Sequence, residues 1–172
     1  MSLKNMVLIL VDAYKMNSEG VNLDINDIMR YQRNRYPVLL IDKVIDLQPG
    51  KSAVGVKNFT YNEWFFPGHF EDEPNVPGFV QIEALVQAFI LTFLSIPEYS
   101  GMKTNFTNID NVKFKRKILP GDTLFSFANL KSFKRGMAKG DVKGLVDEEL
   151  AVSADFTVIV PDIFNKFFPN SK

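Results

Sequence analysis

Residues 77–97, PGFVQIEALVQAFILTFLSIP, decide the fold of this chain. The segment is apolar on nearly all sides of a helix and carries one charged residue, Glu83, so most of that helix's surface must be covered. Its length approaches a membrane span, but Gln81, Glu83 and Gln87 would then lie in lipid at a cost of a few kcal/mol for the carboxylate alone. We therefore predict a buried core helix over residues 79–96, ended by the proline that follows.

Runs of branched and alternating apolar residues on both sides of this helix predict antiparallel strands. The predicted strands span residues 38–46, 51–60, 104–119, 123–135, 139–148 and 150–160. A short helix capped by Asp24 or Asn26 precedes them, and a Phe-rich tail follows from Pro161. A curved antiparallel sheet of five or six strands, wrapped around the long helix, would cover it. The pattern therefore predicts an α+β fold of the hot-dog type.

The chain has the length of one domain, and no internal repeat or linker divides it. We predict an N-terminal extension over residues 1–22 and a single hot-dog domain over residues 23–172. The apolar run at residues 6–11 lacks the length and cleavage pattern of a signal peptide. We expect neither an export signal nor a membrane span.

Composition removes several classes of function. The 20 basic and 20 acidic residues cancel, so no net positive charge favours nucleic-acid binding. The absence of cysteine excludes a disulfide framework, a thiol nucleophile and a cysteine zinc site, and it fits a reducing cytoplasm. The single histidine excludes a multi-histidine metal site unless subunits share one.

Two titratable residues in apolar surroundings are the candidates for chemistry. His69 stands in a loop between Phe66 and Phe70, and Glu83 lies fourteen positions later in the predicted helix. An imidazole and a carboxylate are what acid–base catalysis requires. The alternative is structural, since a lone histidine often serves a loop and a helical glutamate often forms a salt bridge.

The start of the long helix offers a binding site for a substrate carbonyl. Pro77 suits a helix start, and Gly78 lets a substrate approach the backbone N–H groups closely. Those groups lie at the positive end of the helix dipole and would stabilise an enolate. Gln87 is four residues after Glu83 on the same helical face, where it can orient the carboxylate. Taken alone, the Pro-Gly pair is more typical of a simple turn.

The order and spacing of these motifs resemble those of the (3R)-hydroxyacyl-acyl-carrier-protein dehydratases of bacterial fatty-acid synthesis, the FabZ type. The matching residues are Arg35-Tyr36-Pro37, Leu39-Leu40-Ile41-Asp42, Asn62-Glu63, Phe65-Phe66, Gly68-His69-Phe70, Pro77-Gly78, Glu83-Ala84, Gln87-Ala88, Phe114 and Pro120-Gly121-Asp122. The related FabA type, a dehydratase–isomerase, carries Asp where this chain has Glu83, which favours the FabZ type. The resemblance covers the chain from about Ile25 to Val160.

The resemblance implies dehydration of a β-hydroxyacyl thioester to the trans-2-enoyl thioester. His69 would remove the proton alpha to the thioester, Glu83 would protonate the departing hydroxyl, and the Gly78 N–H would hold the thioester carbonyl. The further substrate-binding residues that we predict are Gln87, Phe70 and Pro77. No metal or organic cofactor is implied.

The resemblance also implies partners. The site of such enzymes lies at a dimer interface, so His69 of one subunit should face Glu83 of the other in a homodimer, and trimers of dimers are common. The acidic acyl carrier protein would bring the substrate, and basic side chains are available to bind it: Lys113, Lys115, Lys117, Lys131, Lys134, Arg135 and Lys139. Charged residues on such strands are alternatively just a solvated face.

The chain departs from the family pattern at some positions. Asn34 stands where the family usually has His, and Trp64, Pro67 and the acidic run Glu71-Asp72-Glu73 replace other usual residues. Two further functions therefore remain open at this point: an acyl thioesterase of the same fold, and a non-catalytic subunit that binds acyl carrier protein.

Overall fold

The computed structural model describes residues 20–70 and 72–169. This part of the chain contains three α-helices, namely α1 (Ile25–Tyr31), α2 (Gly78–Leu94) and α3 (Pro161–Phe167), and a 3-10 turn at Pro97–Tyr99. Its strands are β1 (Val21–Leu23), β2 (Lys43–Gln48), β3 (Ser52–Asn58), β4 (Asn105–Phe114), β5 (Thr123–Lys134), β6 (Met137–Val146) and β7 (Glu149–Ile159). No helix in these two described ranges is long and apolar enough to cross a membrane.

The seven strands form one antiparallel sheet in the order β1-β2-β3-β5-β6-β7-β4. Helix α2 packs on β2, β3, β5, β6 and β7 and lies inside the curve of the sheet. Every residue from 84 to 94 in it is buried, as the all-round apolar pattern requires. The predicted hot-dog arrangement is confirmed.

Glycines in the sheet let α2 approach the strands closely. A Cβ on Gly55 of β3 would lie 2.7 Å from the Cβ of Ala88, and one on Gly140 of β6 would lie 2.4 Å from the Phe89 ring. Real Cβ atoms do not tolerate such contacts, so a larger residue at either position would push the helix away from the sheet.

The structure differs from the sequence prediction at the edges of the sheet. The strand predicted over residues 38–46 begins only at Lys43, because the N–H groups of Leu40 and Ile41 are bound by the Gln87 side chain instead of a neighbouring strand. Strand β1 and helix α3 were not predicted. Three residues are too short for a periodic signal, and α3, unlike the equally short α1 with its Asp24 cap, has no side-chain cap to mark its start.

Most of the predicted N-terminal extension, residues 1–19, lies outside the described residues. Val21–Leu23 pairs with β2, so the sheet begins just inside the predicted extension. The division of the chain at residue 22 stays a prediction.

Candidate active site

The carboxylate of Glu83 is held by two amide side chains. Glu83 lies on the second turn of α2, and its Oε1 accepts hydrogen bonds from Gln87 Nε2 at 2.7 Å and from Asn34 Nδ2 at 3.2 Å. Among the described residues, no protein group donates to Oε2. The two donors therefore fix the carboxylate through one oxygen and leave the other free.

Gln87 connects this carboxylate to the segment before β2. Its Nε2 also donates to Val38 O at 2.7 Å, and its Oε1 accepts from Leu40 N at 2.8 Å and from Ile41 N at 3.4 Å. An amide side chain offers two donors and two acceptor lone pairs, and the buried Gln87 uses all of them within the chain. This arrangement makes Gln87 a positioning residue for Glu83, and its predicted contact with substrate stays a prediction.

The imidazole of His69 is oriented by a backbone carbonyl. His69 is half-buried, and its Nδ1 lies 3.0 Å from Asn75 O. Because a carbonyl oxygen only accepts hydrogen bonds, Nδ1 carries the proton and donates it, which leaves the lone pair on Nε2. The His69 ring also packs against Phe70, with ring centroids 4.1 Å apart. The neutral ring is thus in the tautomer that lets Nε2 act as a base.

The loop that carries His69 is anchored on both sides. Phe65 and Phe66 are buried in the main core, and Lys57 Nζ of β3 reaches the Glu63 carboxylate at 2.5 Å. On the far side, the ammonium of Lys117 pairs with Glu73 and lowers the pKa of that carboxyl through a hydrogen bond and its positive charge. Glu73, the last acid of the predicted acidic run, is thereby tied to the segment between β4 and β5.

Phe70 adopts an unusual backbone conformation next to His69. Its φ is 54°, in the left-handed region that non-glycine residues rarely occupy, and its side chain is largely exposed. Such conformations cost free energy and concentrate at functional sites. The placement fits the predicted substrate-binding role of Phe70, which no contact in this chain tests.

Helix α2 begins at Gly78, so Pro77 lies just before the helix and is not its first helical residue. Pro77 is the N-cap and makes no side-chain capping bond. The first N–H groups of a helix have no acceptor within the helix, so the Gly78 N–H is free of the intrahelical ladder. A Cβ added to Gly78 would lie 3.1 Å from the ring of Phe114, which covers this helix start.

A pocket of about 100 Å³ lies beside Glu83. It runs along α2 past Val86 and Ile90 and is closed by Asn34 and by Phe106 of β4. His69 is not among the residues that line it, and within the described residues no hydrogen bond joins His69 to Glu83. A single chain therefore brings Glu83, Gln87 and Asn34 together but keeps the imidazole apart.

Asn34 is the residue of this site that sequence reasoning missed. The sequence marked it only as a departure from the usual histidine, and a contact across 49 positions leaves no local signal. The residues that the structure describes contain no cluster of three or more histidine, aspartate or glutamate side chains arranged to hold a metal ion.

Comparison with known sequences gives consistent matches. A family model described as the FabA-like domain matches residues 33–155. The chain is 43% identical over 138 residues to the 3-hydroxyacyl-acyl-carrier-protein dehydratase FabZ of Clostridium botulinum (strain Okra / Type B1), which covers 80% of this chain and 96% of that protein. It is 41% identical over 145 residues to the protein of the same name from Acetivibrio thermocellus, covering 84% of this chain and 97% of the relative.

Solved structures resemble the fold at lower identity. The structure titled "The Dehydratase Heterocomplex ApeI:P from Xenorhabdus doucetiae" superposes with a TM-score of 0.70 at 15% identity and covers 84% of this chain and 97% of that one. The E. coli PaaI protein from the phenylacetic acid degradation operon has a TM-score of 0.54, also at 15% identity, over 67% of this chain and 80% of that one. At such identities the likeness concerns the fold alone.

Proposed function

This chain belongs to the FabA-like domain family, and we propose from that membership that it is a 3-hydroxyacyl-acyl-carrier-protein dehydratase of the FabZ type. It removes water from a 3-hydroxyacyl thioester on acyl carrier protein and gives the trans-2-enoyl thioester, a step of fatty-acid biosynthesis. The observation that carries this proposal is the Glu83 carboxylate, fixed through one oxygen beside a pocket, in a chain that shares 43% of its residues over 138 positions with a FabZ enzyme.

His69 acts as the base. Its Nε2 takes the proton from the carbon next to the thioester, and the electron pair of that C–H bond moves towards the thioester carbonyl. The Gly78 N–H, at the positive end of α2, stabilises the negative charge that develops on the carbonyl oxygen. The hydrogen bond from Nδ1 to Asn75 supports this role, because it keeps the basic nitrogen facing away from the backbone.

Glu83 acts as the acid. Asn34 and Gln87 both donate to Oε1, so the proton that Glu83 delivers resides on Oε2. This proton passes to the β-hydroxyl as the carbon–oxygen bond breaks, and water leaves. The electron pair from the enolate forms the new double bond. His69 then releases its proton to solvent and Glu83 takes a proton from solvent, which returns both residues to their starting states.

The complete site requires a homodimer in which His69 of one subunit serves Glu83 of the other. The absence of a hydrogen bond between the two residues within the described chain is consistent with this arrangement. Strand β4 supports it further, because it is an edge of the sheet with exposed apolar side chains next to the Glu83 pocket. Assembly into trimers of dimers remains an expectation from the family.

Acyl carrier protein is the partner that delivers the substrate. Lys113 and Lys115 are exposed and carry positive charge towards an acidic partner, whereas Lys131 is engaged by Asp141 and Asp155. A cytoplasmic location stays a prediction of the cysteine-free sequence.

Incubation with a 3-hydroxyacyl-acyl-carrier-protein tests the proposal. Enoyl absorbance without free thiol is expected for the wild type, and Glu83→Gln and His69→Ala should each lower the rate about 100- to 10,000-fold. Release of thiol without enoyl product would instead identify a thioesterase. Full biological activity of the His69→Ala/Glu83→Gln double variant in cells, with acyl-carrier binding intact, would identify a non-catalytic subunit.

A further inference from the structure

The loop between His69 and the start of α2 contains a strained turn. Phe70 has a φ of 54°, a conformation that costs a non-glycine residue free energy and persists only where neighbouring contacts impose it. The N–H of Glu73 donates to Phe70 O at 3.1 Å and closes the turn. Of the described residues from 67 to 73, only His69 is not exposed, so little packing holds this turn in place. The polar contacts of the loop must therefore hold it.

Three consecutive contacts join Lys117 to the imidazole of His69. The ammonium of Lys117 pairs with the Glu73 carboxylate. The carbonyl of Glu73 accepts a hydrogen bond from Asn75 Nδ2 at 3.1 Å, and the carbonyl of Asn75 accepts one from His69 Nδ1 at 3.0 Å. The acceptor that orients the imidazole is thus itself held through Glu73.

Lys117 stands on a fixed part of the chain. The next residue, Ile118, is fully buried, and its carbonyl accepts a hydrogen bond from Val76 N at 2.8 Å, which anchors the far end of the loop. The ion pair extends this anchorage from Val76 back to Glu73, which is only four residues after His69.

We propose that Glu73 and Lys117 are positioning residues for the catalytic base, and that their ion pair holds His69 in the place and tautomer that proton abstraction requires. The inference rests on the proposed function, because His69 is a base only if the chain is a dehydratase. Glu73 belongs to the acidic run in which the sequence departs from the family pattern, so that pattern does not supply this contact.

The exposure of the pair sets the size of its effect. The side chains of Glu73 and Lys117 are 68% and 60% exposed, and exposed ion pairs are weak. Loss of the pair should shift the equilibrium between the held and the released loop about two- to fivefold, without a change in global unfolding. The effect should therefore appear at the imidazole and in turnover, but not in the urea midpoint.

The imidazole can be observed directly, because His69 is the only histidine and gives a single set of NMR signals in tag-free protein with labelled histidine. In the wild type we expect the proton on Nδ1, protected from exchange with solvent by its bond to Asn75 O. In Glu73→Gln this proton should exchange about two- to fivefold faster, because the released loop exposes it more often. Lys117→Met should have the same effect, since it removes the other half of the pair.

Turnover of a 3-hydroxyacyl pantetheine thioester measures the consequence for catalysis without a carrier protein. Glu73→Gln should lower kcat about two- to fivefold and leave KM nearly unchanged, because the base is misplaced while the groups that bind the thioester stay. Salt at about 1 M screens charges beyond about 3 Å. It should therefore lower kcat of the wild type by a similar factor and leave kcat of Glu73→Gln unchanged.

Asp72→Asn is the matched control. Asp72 is exposed and precedes Glu73 directly, so the substitution removes the same charge at nearly the same place, but no cation of the described residues pairs with Asp72. Proton exchange and kcat should remain those of the wild type. Glu73→Lys combined with Lys117→Glu reverses the pair and should return both values close to wild type, whereas Glu73→Lys alone should change them at least as much as Glu73→Gln.

An exchange rate that Glu73→Gln leaves unchanged would overturn the inference, and so would an unchanged kcat in a chain that dehydrates the thioester. Equal effects of Asp72→Asn and Glu73→Gln would also overturn it, because they would assign the effect to lost charge and not to the pair. A chain without dehydratase activity would remove the proposed function instead. The exchange rate is measured without turnover, so it would still decide whether the pair holds the imidazole.

Discussion

Asn34 and Gln87 donate to the same oxygen of Glu83, yet the two residues are fixed in different ways. Gln87 is buried and held by three further hydrogen bonds to residues 38–41, whereas Asn34 is half-buried in the segment between α1 and β2. Asn34 therefore controls the direction of the carboxylate with little influence on the core. Its contribution should be visible in catalysis rather than in stability.

Asn34→Ala should lower kcat about tenfold to 100-fold, because a small misplacement of the acid is costly, while KM and Tm change little. Asn34→His, which restores a ring N–H donor, should recover most of the loss. Steady-state kinetics on 3-hydroxyacyl-acyl-carrier-protein and thermal unfolding measure the two effects. An alanine variant with wild-type kcat, or with a loss explained by unfolding, would remove Asn34 from the site.

The ion pair between Lys57 and Glu63 is the contact through which the anchoring of the His69 loop is best tested. The Lys57 side chain is 8% exposed and that of Glu63 is 17% exposed, so removal of the carboxylate leaves a buried ammonium that keeps only the more distant contacts with Asp42, at 3.7 Å, and with the Phe59 ring among the described residues. Glu63→Gln should lower the free energy of unfolding by about 3 kcal/mol, the low end for a broken buried pair. Denaturation by urea measures the change.

The pair formed by Lys117 and Glu73 serves as the control. Both of its side chains are well exposed, and exposed pairs contribute little. Glu73→Gln should therefore leave the urea midpoint unchanged. Equal effects of Glu63→Gln and Glu73→Gln on the urea midpoint would show that burial does not make the Lys57 pair more stabilising than the exposed pair.

At the scale of elements, the long helix is the part that sequence predicts best. Its all-round apolar pattern and the proline after it are local signals, and the structure bounds it at Gly78–Leu94. The segment at residues 38–42 shows the opposite case. Its branched residues favour a strand, but the amide of Gln87 takes the N–H groups of Leu40 and Ile41, and that contact spans 46 and 47 positions. Local pattern carries no information about such a competitor.

Local pattern likewise does not predict how closely α2 packs against the sheet, because a glycine in a strand sequence indicates only a weaker strand. Gly140 shows its purpose in the structure: an added Cβ would lie 2.1 Å from Asn129 O and 2.4 Å from the Phe89 ring. Gly140→Ala should therefore lower the free energy of unfolding by about 1–3 kcal/mol or more through overpacking.

Gly68→Ala provides the comparison. A Cβ added at Gly68 would have Phe65 O as its nearest atom, at an ordinary contact distance of 3.8 Å. We expect a change within about 0.5 kcal/mol for this variant. A Gly140→Ala protein as stable as the wild type would mean that both the β5 backbone at Asn129 and the Phe89 ring can move away from β6 at no cost.

At the scale of the whole molecule, the edge strand β4 offers a face for the second subunit that the proposed site requires. Three apolar residues of β4 lie directly opposite residues of β7: Phe106 opposite Val158, Ile109 opposite Phe156 and Phe114 opposite Val152. Residues in register share a face of the sheet, and the three β7 residues are buried on the face towards α2. The three β4 residues therefore extend the apolar inner face beyond the helix and remain exposed.

An apolar face of this kind beside a free sheet edge favours a second copy of the chain.

A site that is shared between two subunits limits what the sequence predicts of it. The i, i+4 spacing gives the contact between Glu83 and Gln87, but a contact between His69 and Glu83 across two subunits has no periodic signal at all. Only the family resemblance supplied it.

Ile109→Lys places a charge in the middle of this exposed face. We expect the variant to be a monomer, because the charge would be buried without a partner in the dimer, and to lose dehydratase activity while its circular-dichroism spectrum is retained. Size-exclusion chromatography with light scattering measures the mass. Lys115→Ala, an exposed change just beyond β4, is the control and should remain a dimer with wild-type turnover when the substrate is a pantetheine thioester.

Mixing two inactive variants tests directly whether the site spans the subunits. In a heterodimer of His69→Ala and Glu83→Gln chains, one site receives the intact Glu83 of the first chain and the intact His69 of the second, while the other site receives both substitutions. Refolding an equal mixture should yield half heterodimers and therefore restore about one quarter of wild-type kcat. Each variant refolded alone should stay inactive. If the mixture also stays inactive although heterodimers are detected by mass, His69 and Glu83 of the same chain must act together, and the shared site is wrong.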